Sequence, residues 1–234
     1  MRYALYFTPA QDDPLTLAAQ AWLGRNAFTG ARIVQPTVAG TTAAELARLT
    51  EDPRRYGFHG TLVAPFRLRD GLSPQAVRRA ADSFSQGCAP FAIPSLAIVK
   101  IGSFIALAPS EAGAVSALAS AAVDHFNGLR APLSPSETER RRPERLSERQ
   151  RAYLDRYGYP YVKEEFRFHM TLTGPLEAEE AARIEPALHD HFGPLLARPV
   201  EVSTVSLFVE AEPGSDFIVE STHRFGAAAA RKYA

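Results

Sequence analysis

The sequence predicts a chain of mixed strands and helices, folded as two similar lobes around one site. Three observations carry this. First, the segment Phe58-His59-Gly60-Thr61-Leu62-Val63-Ala64-Pro65-Phe66 returns 110 residues later as Phe168-His169-Met170-Thr171-Leu172-Thr173-Gly174-Pro175-Leu176, with Phe, His, Thr, Leu and Pro in register. Second, each copy precedes a helical stretch and then a pair of strand-like runs. Third, 234 residues with 46% hydrophobic and 22% charged side chains suit one large domain or two small lobes with a real core. A match this short arises by chance when every window is compared with every other, so its weight comes from the matched surroundings.

In chain order, residues 2–8 alternate Tyr3, Leu5 and Phe7 against Ala4 and Tyr6, the period of a half-buried strand. Asp13-Pro14 offers an N-cap and a first-turn proline, starting a helix to about Gly24 with Leu15, Ala18, Ala19, Trp22 and Leu23 on one face. Thr41-Thr42 opens a second helix over 43–49, and 58–63 reads as a strand stopping at Pro65. Ser73-Pro74 starts a helix to about Gln86; 95–100 and 103–108 form a strand pair around a Gly-containing turn; an Ala-rich helix covers about 111–128. The tract 129–160 is part loop (132–143) and part helix (146–157). A strand over 166–172 ends near Pro175, followed by a helix at about 179–188, paired strands at 200–209 and 217–220, and a frayed helical end over 226–234. The 18 prolines suit many short elements.

Charge bounds the partners. With 26 Lys+Arg against 26 Asp+Glu the formal net charge is zero, which argues against a broad basic surface for long nucleic acid. A small anion, or an RNA end, stays compatible with a locally cationic pocket. The tract 129–160 holds eight Arg against five acids, and such a run reads first as a solvated connector and helix face. The single cysteine, Cys88, leaves no intramolecular disulfide and no CxxC motif. The N-terminus lacks a signal-peptide core, and no apolar run approaches the ~18 residues of a membrane span, so a cytoplasmic protein without a membrane partner is expected.

The repeat carries the chemistry. Side chains at i and i+2 on a strand point the same way. His59 and Thr61 therefore share one face while Phe58, Gly60 and Leu62 take the other; His169 and Thr171 share a face opposite Phe168, Met170 and Leu172. Two lobes related by a pseudo-two-fold axis bring both His/Thr pairs to one cleft. That set suits a phosphodiester: one imidazole takes a proton, the other gives one to the leaving oxygen, and the hydroxyls donate to non-bridging oxygens. No metal or cofactor is called for, because a catalytic zinc needs a third protein ligand and no HExxH-like spacing is present. GxSxG, P-loop and GxGxxG motifs are absent as well.

The paired His-x-Thr strands resemble the two-histidine (2H) phosphoesterase superfamily with its LigT-like fold. Arg130-Ala131-Pro132-Leu133-Ser134 and Tyr157-Gly158-Tyr159-Pro160-Tyr161-Val162, leading into 166–175, resemble one branch, the phosphonate metabolism proteins associated with carbon–phosphorus lyase genes. The resemblance covers nearly the whole chain. It implies a single bilobal α+β domain over 1–234, with two antiparallel sheets, outer helices and pseudo-two-fold symmetry. It also implies metal-independent phosphodiester hydrolysis with His59, Thr61, His169 and Thr171 as catalytic residues. Many 2H motifs carry a hydrophobic residue between His and Thr; Met170 fits and Gly60 departs. The pathway association implies a ribose cyclic phosphate such as phosphoribosyl 1,2-cyclic phosphate; other members act on RNA ends and 2′,3′-cyclic phosphates.

Further candidates for substrate contact are Tyr6, Lys100 and Tyr161, with Tyr56 and Tyr159 beside them as rings able to stack on a base. Tyr3 and Tyr6 lie on opposite strand faces, so at most one reaches the cleft. Arg167 has the wrong parity on a regular strand. His125, His189, His191 and His223 read as structural. For hydrolysis the sequence favours His169 as base and His59 as acid without deciding between them. Two other classes stay open: a nucleotide-binding module without turnover, and an accessory subunit docking through 129–160.

Overall fold

The computed structural model describes residues 1–226, which form nine strands interspersed with helices. They are β1 (Arg2–Phe7), α1 (Pro14–Leu23), α2 (Ala43–Leu49), α3 (Glu51–Tyr56), β2 (Gly60–Phe66), α4 (Pro74–Gln86), β3 (Phe91–Ile93), β4 (Leu96–Ile101), β5 (Phe104–Pro109), α5 (Gly113–Asn127), α6 (Pro135–Arg140), α7 (Glu148–Tyr157), β6 (Met170–Thr171), α8 (Ala178–Leu196), β7 (Val200–Val202), β8 (Thr204–Glu210) and β9 (Phe217–Arg224). The punctuation read from sequence sets most of the boundaries. The Asp13 carboxylate accepts the Leu15 N–H at 2.8 Å to start α1, and Gly24 ends it at φ 78°. Thr42 caps α2 through the Glu45 N–H.

The strands build an α+β fold with a large antiparallel sheet, in the order β4-β5-β6-β2-β1-β8-β9, and a small second sheet of β3 and β7. The expected pair of sheets takes a different form, because strands from both halves of the chain join one sheet. The join is narrow: β2 and β6 meet at a single residue pair, Gly60 opposite Met170. The run 200–209 is two strands, since β7 leaves for the small sheet while β8 pairs with β1.

Other boundaries moved for local reasons. β2 continues through Pro65, which needs no ladder N–H where the short β6 leaves that side of β2 unpaired. β6 keeps only two residues of the expected strand, because a 3-10 turn at Lys163–Glu165 precedes it, with Lys163 at φ 56°. Part of the expected loop is α6, started by a capping box in which Ser134 and Glu137 satisfy each other's backbone N–H. α8 runs on to Leu196 through Pro186 and Pro194. The helical end expected at 226–234 lies outside the described residues save for Gly226, which is not helical.

The main core lies between one sheet face, carrying Leu5, Phe7, Leu62, Met170 and Leu172, and the apolar sides of α1, α4, α5 and α8. Trp22 of α1 is fully buried there and donates its indole N–H to the Leu172 carbonyl at 3.1 Å. The opposite sheet face carries a smaller cluster of Ala4, Tyr6, Ala27, Phe208 and Phe217. Among the described residues no helix is long and apolar enough to cross a membrane.

Candidate active site

The single β2–β6 pair decides the geometry. Gly60 opposes Met170 in an antiparallel register, so His59 stands across from Thr171 and Thr61 across from His169. All four side chains share the sheet face away from the main core, while Phe58, Leu62, Phe168, Met170 and Leu172 are buried in it. Gly60 leaves the space that the Phe168 ring fills: a Cβ on Gly60 would lie 2.3 Å from that ring.

The same local device orients both motif histidines. His59 Nδ1–H donates to the Gly57 carbonyl at 2.9 Å, and His169 Nδ1–H donates to the Arg167 carbonyl at 2.8 Å. A carbonyl can only accept, so each Nδ1 carries the hydrogen and each neutral ring presents a bare Nε2. Gly57, at φ 77°, turns the chain so that its carbonyl reaches the ring two residues on. Thr61 Oγ1 lies 3.2 Å from His59 Nε2 and donates to it.

His59 is packed in aromatic surroundings. Tyr6, opposite Thr61 on β1, stacks on it with centroids 3.8 Å apart at 22°, and Tyr56 and Phe208 lie near 6 Å. Burial pushes the His59 pKa from 6.5 down to about 4; the Gly57 hydrogen bond opposes this, and the nearby His169 adds to it. The ring is therefore neutral at pH 7. Burial likewise holds the Tyr6 phenol well above its ordinary pKa, so it stays protonated.

A cleft of about 520 Å³ opens on Thr61 and His169. Phe104, Tyr159, Tyr161 and Phe166 line it, with Ser103, Gln150, Glu165 and Arg167 among its polar groups. Gln150 Nε2 donates to Glu165 at 2.9 Å. Tyr161 is 46% exposed and packs edge-on against Tyr159. The tract 129–160 thus gives more than a solvated connector, since it supplies Gln150 and Tyr159 to the cleft.

The remaining candidates divide. Tyr6 reaches the site as a platform beneath His59, and Tyr161 lines the cleft. Lys100 does neither: it is exposed on β4, the outermost strand, and the cleft begins one residue later at Ile101. Arg167 lines the cleft despite its parity, because the regular strand begins only at Met170. Sequence reasoning missed Phe104, Gln150, Glu165 and Phe166, which come from separate elements and form no local pattern. His125 and His191 donate to the carbonyls of Ala80 and Ala18. His223 bridges Asp82 (2.6 Å) and Ser221 (2.9 Å) in triad order, but Ser221 also donates to the Glu220 carboxylate at 2.6 Å, a poor neighbour for an oxyanion. Among the described residues no three His, Cys, Asp or Glu side chains converge as a metal site.

A family model described as Protein of unknown function (DUF1045) matches residues 61–218, more than half of the chain, including Thr61, His169 and Thr171. The chain belongs to this family. Two curated relatives of this DUF1045 chain are similar over 93% of its length: a ribose 1,5-bisphosphate phosphokinase PhnN of Janthinobacterium sp. (strain Marseille), 37% identical, and one of Laribacter hongkongensis (strain HLHK9), 36% identical. The matched region is 49% and 50% of those proteins, so the chain spans about half the length of the curated relatives it matches. A solved structure described as a phosphoesterase aligns over 96% of this chain and 98% of its own, at 12% identity and a TM-score of 0.44.

Proposed function

We propose that this chain is a phosphodiesterase of the two-histidine kind that hydrolyses a small ribose-based cyclic phosphate with its own side chains. The observation that carries the reading is the matched pair of imidazoles, each tied through Nδ1–H to the carbonyl two residues before it, on one sheet face across Gly60 and Met170. An acid–base pair for in-line displacement needs this: two rings of fixed tautomer with Nε2 free to face the phosphorus. The sheet also supports a bilobal reading, with β2-β1-β8-β9 on one side of the join, β6-β5-β4 on the other, and a His-x-Thr strand at the inner edge of each.

Hydrolysis follows from the groups in place. Thr61, which donates to His59 Nε2 in the free site, turns its hydroxyl to a non-bridging phosphate oxygen and bares that nitrogen; Thr171 donates to the other oxygen. Water attacks phosphorus and gives its proton to His59 Nε2, and His169, which takes up a second proton at Nε2 from solvent before the step, gives that proton to the departing sugar oxygen as its bond to phosphorus breaks. This reverses the roles favoured from sequence, because His59 is held neutral by burial and so starts in the base form. The bound anion lifts its pKa back toward the working range.

The relatives' name supports the substrate class. Opening phosphoribosyl 1,2-cyclic phosphate by breaking the bond between phosphorus and O2 leaves phosphates on C1 and C5, which is ribose 1,5-bisphosphate, the compound in that name. This chain contains no Gly-Lys dipeptide and so no G-x-x-x-x-G-K-[ST] loop, and on this reading the kinase chemistry in the relatives' name belongs to the half of them that it does not span. The second reading, a nucleoside 2′,3′-cyclic phosphate or RNA end, draws on exposed Tyr161 as a stacking ring. A panel of phosphoribosyl 1,2-cyclic phosphate, nucleoside 2′,3′-cyclic phosphates and a 2′–5′-linked dinucleotide, followed by phosphorus NMR, separates them. Turnover of the first alone is expected; faster turnover of the nucleosides favours the second, and tight binding without turnover favours a binding module.

A further inference from the structure

Resting on the phosphodiesterase reading, we propose that Arg141 is the specificity-determining residue of the cleft, binding a second phosphate group carried by the substrate beyond the one that reacts. Its guanidinium carbon lies 5.0 Å from the centroid of the Tyr159 ring, and Tyr159 lines the cleft that opens on Thr61 and His169. Stacking fixes the charge in direction while leaving the planar N–H edge free, the form in which arginine recognises phosphate. Among the described residues Arg141 has no carboxylate within salt-bridge distance. It shares that state with Arg140 and Arg142 on either side, and what sets it apart is the Tyr159 ring; Arg67 and Arg149 are paired with Glu137 and Glu165.

The surrounding backbone holds this cation in place. Arg141 caps the end of α6, whose Glu137 takes two hydrogen bonds from Arg67, the residue directly after β2. Arg67 holds the Glu137 carboxyl down to about 2, so the tie persists through the neutral range. α6 is thus fastened to the strand that carries Thr61. The next residue, Arg142, sits at φ 49°; with Lys163 at φ 56°, between the lining residues Val162 and Glu165, it is one of the two non-glycine residues at positive φ among those described. Strain of this kind persists where the surroundings over-determine it. Lys163 is itself pinned to α5 by Ser120 and Asp124. The result is a pre-positioned cation without a carboxylate partner, held against Tyr159, one of the rings that wall the cleft, whose own lining carries Arg167.

The test compares phosphoribosyl 1,2-cyclic phosphate with ribose 1,2-cyclic phosphate, which lacks the second phosphate, on wild type, Arg141→Ala and Arg141→Lys. Wild type should favour the phosphorylated substrate in kcat/KM by at least about tenfold. Arg141→Ala should bring the ratio toward one through KM, with Arg141→Lys between. A wild type without preference, or an Arg141→Ala variant that keeps it, overturns the proposal. If wild type turns over neither compound, the phosphodiesterase reading fails, and calorimetry with ribose 1,5-bisphosphate and ribose 1-phosphate then judges Arg141 alone. A preference for the bisphosphate that Arg141→Ala abolishes upholds the second-phosphate site; equal affinities refute it.

Discussion

The ring of Phe168 fills the place where a side chain on Gly60 would stand. Gly60, which departs from the hydrophobic residue usual between His and Thr, is thereby matched to the residue that precedes the histidine in the second copy, and the two copies interlock at their one paired position, Gly60 and Met170. Gly60→Ala should cost roughly 1–3 kcal/mol by overpacking, read as a fall in thermal midpoint, and should lower activity by displacing Phe168 and with it His169. Gly60→Ala combined with Phe168→Leu should recover much of the loss. A Gly60→Ala variant as stable and active as wild type would contradict the interlock.

The depressed His59 pKa has a defined sign in stability. The unfolded imidazole binds its proton near pH 6.5 and the folded one only near 4, so the stabilisation is present above 6.5 and drains away as pH falls toward 4. The loss is at most about 3 kcal/mol. His59→Phe keeps a ring against Tyr6 and removes the titration, so its denaturant midpoint should flatten across that window relative to wild type. Parallel curves for the two proteins would mean that His59 is not held neutral by burial.

Arg25 is fully buried, and its guanidinium donates to the carbonyls of Arg54, Arg55 and Phe217. It ties the end of α3, and so Gly57, to β9. Arg25→Met should cost about 3–5 kcal/mol in urea unfolding by stranding those carbonyls. Arg25→Lys should rescue little, because one ammonium cannot span the three directions.

The donor set offers two imidazoles and two hydroxyls, short of the three protein ligands a catalytic zinc takes. Prolonged treatment with EDTA should leave turnover within about twofold of the untreated rate. Strict dependence on added zinc or manganese would remove the acid–base assignment.

The shared face of the two His/Thr pairs was legible because strand parity is a local rule: with His and Thr two apart and apolar residues around them, the face is set whatever the rest of the fold does. The same rule misled at Arg167, since it holds only on a regular strand and a 3-10 turn interrupts the approach to His169. Lys100 was an attractive cation by position in sequence, but β4 became the far edge of a sheet whose order depends on long-range pairing. Of the cleft wall only Tyr159 and Tyr161 were legible; Phe104, Gln150 and Phe166 were not, because they meet through tertiary packing. α6 was legible and overlooked: Ser134-Pro135-Ser136-Glu137 spells a capping box inside a stretch read as loop. The joining of both halves in one sheet turned on a single pair of residues, below what any sequence pattern can express.

The most direct measurement is the phosphorus NMR time course of phosphoribosyl 1,2-cyclic phosphate with wild type, His59→Ala and His169→Ala, each confirmed as folded by circular dichroism. Wild type should convert it to ribose 1,5-bisphosphate, and each variant should be slower by at least about 100-fold, the scale of general acid–base catalysis. Full turnover by either variant would contradict the two-histidine mechanism.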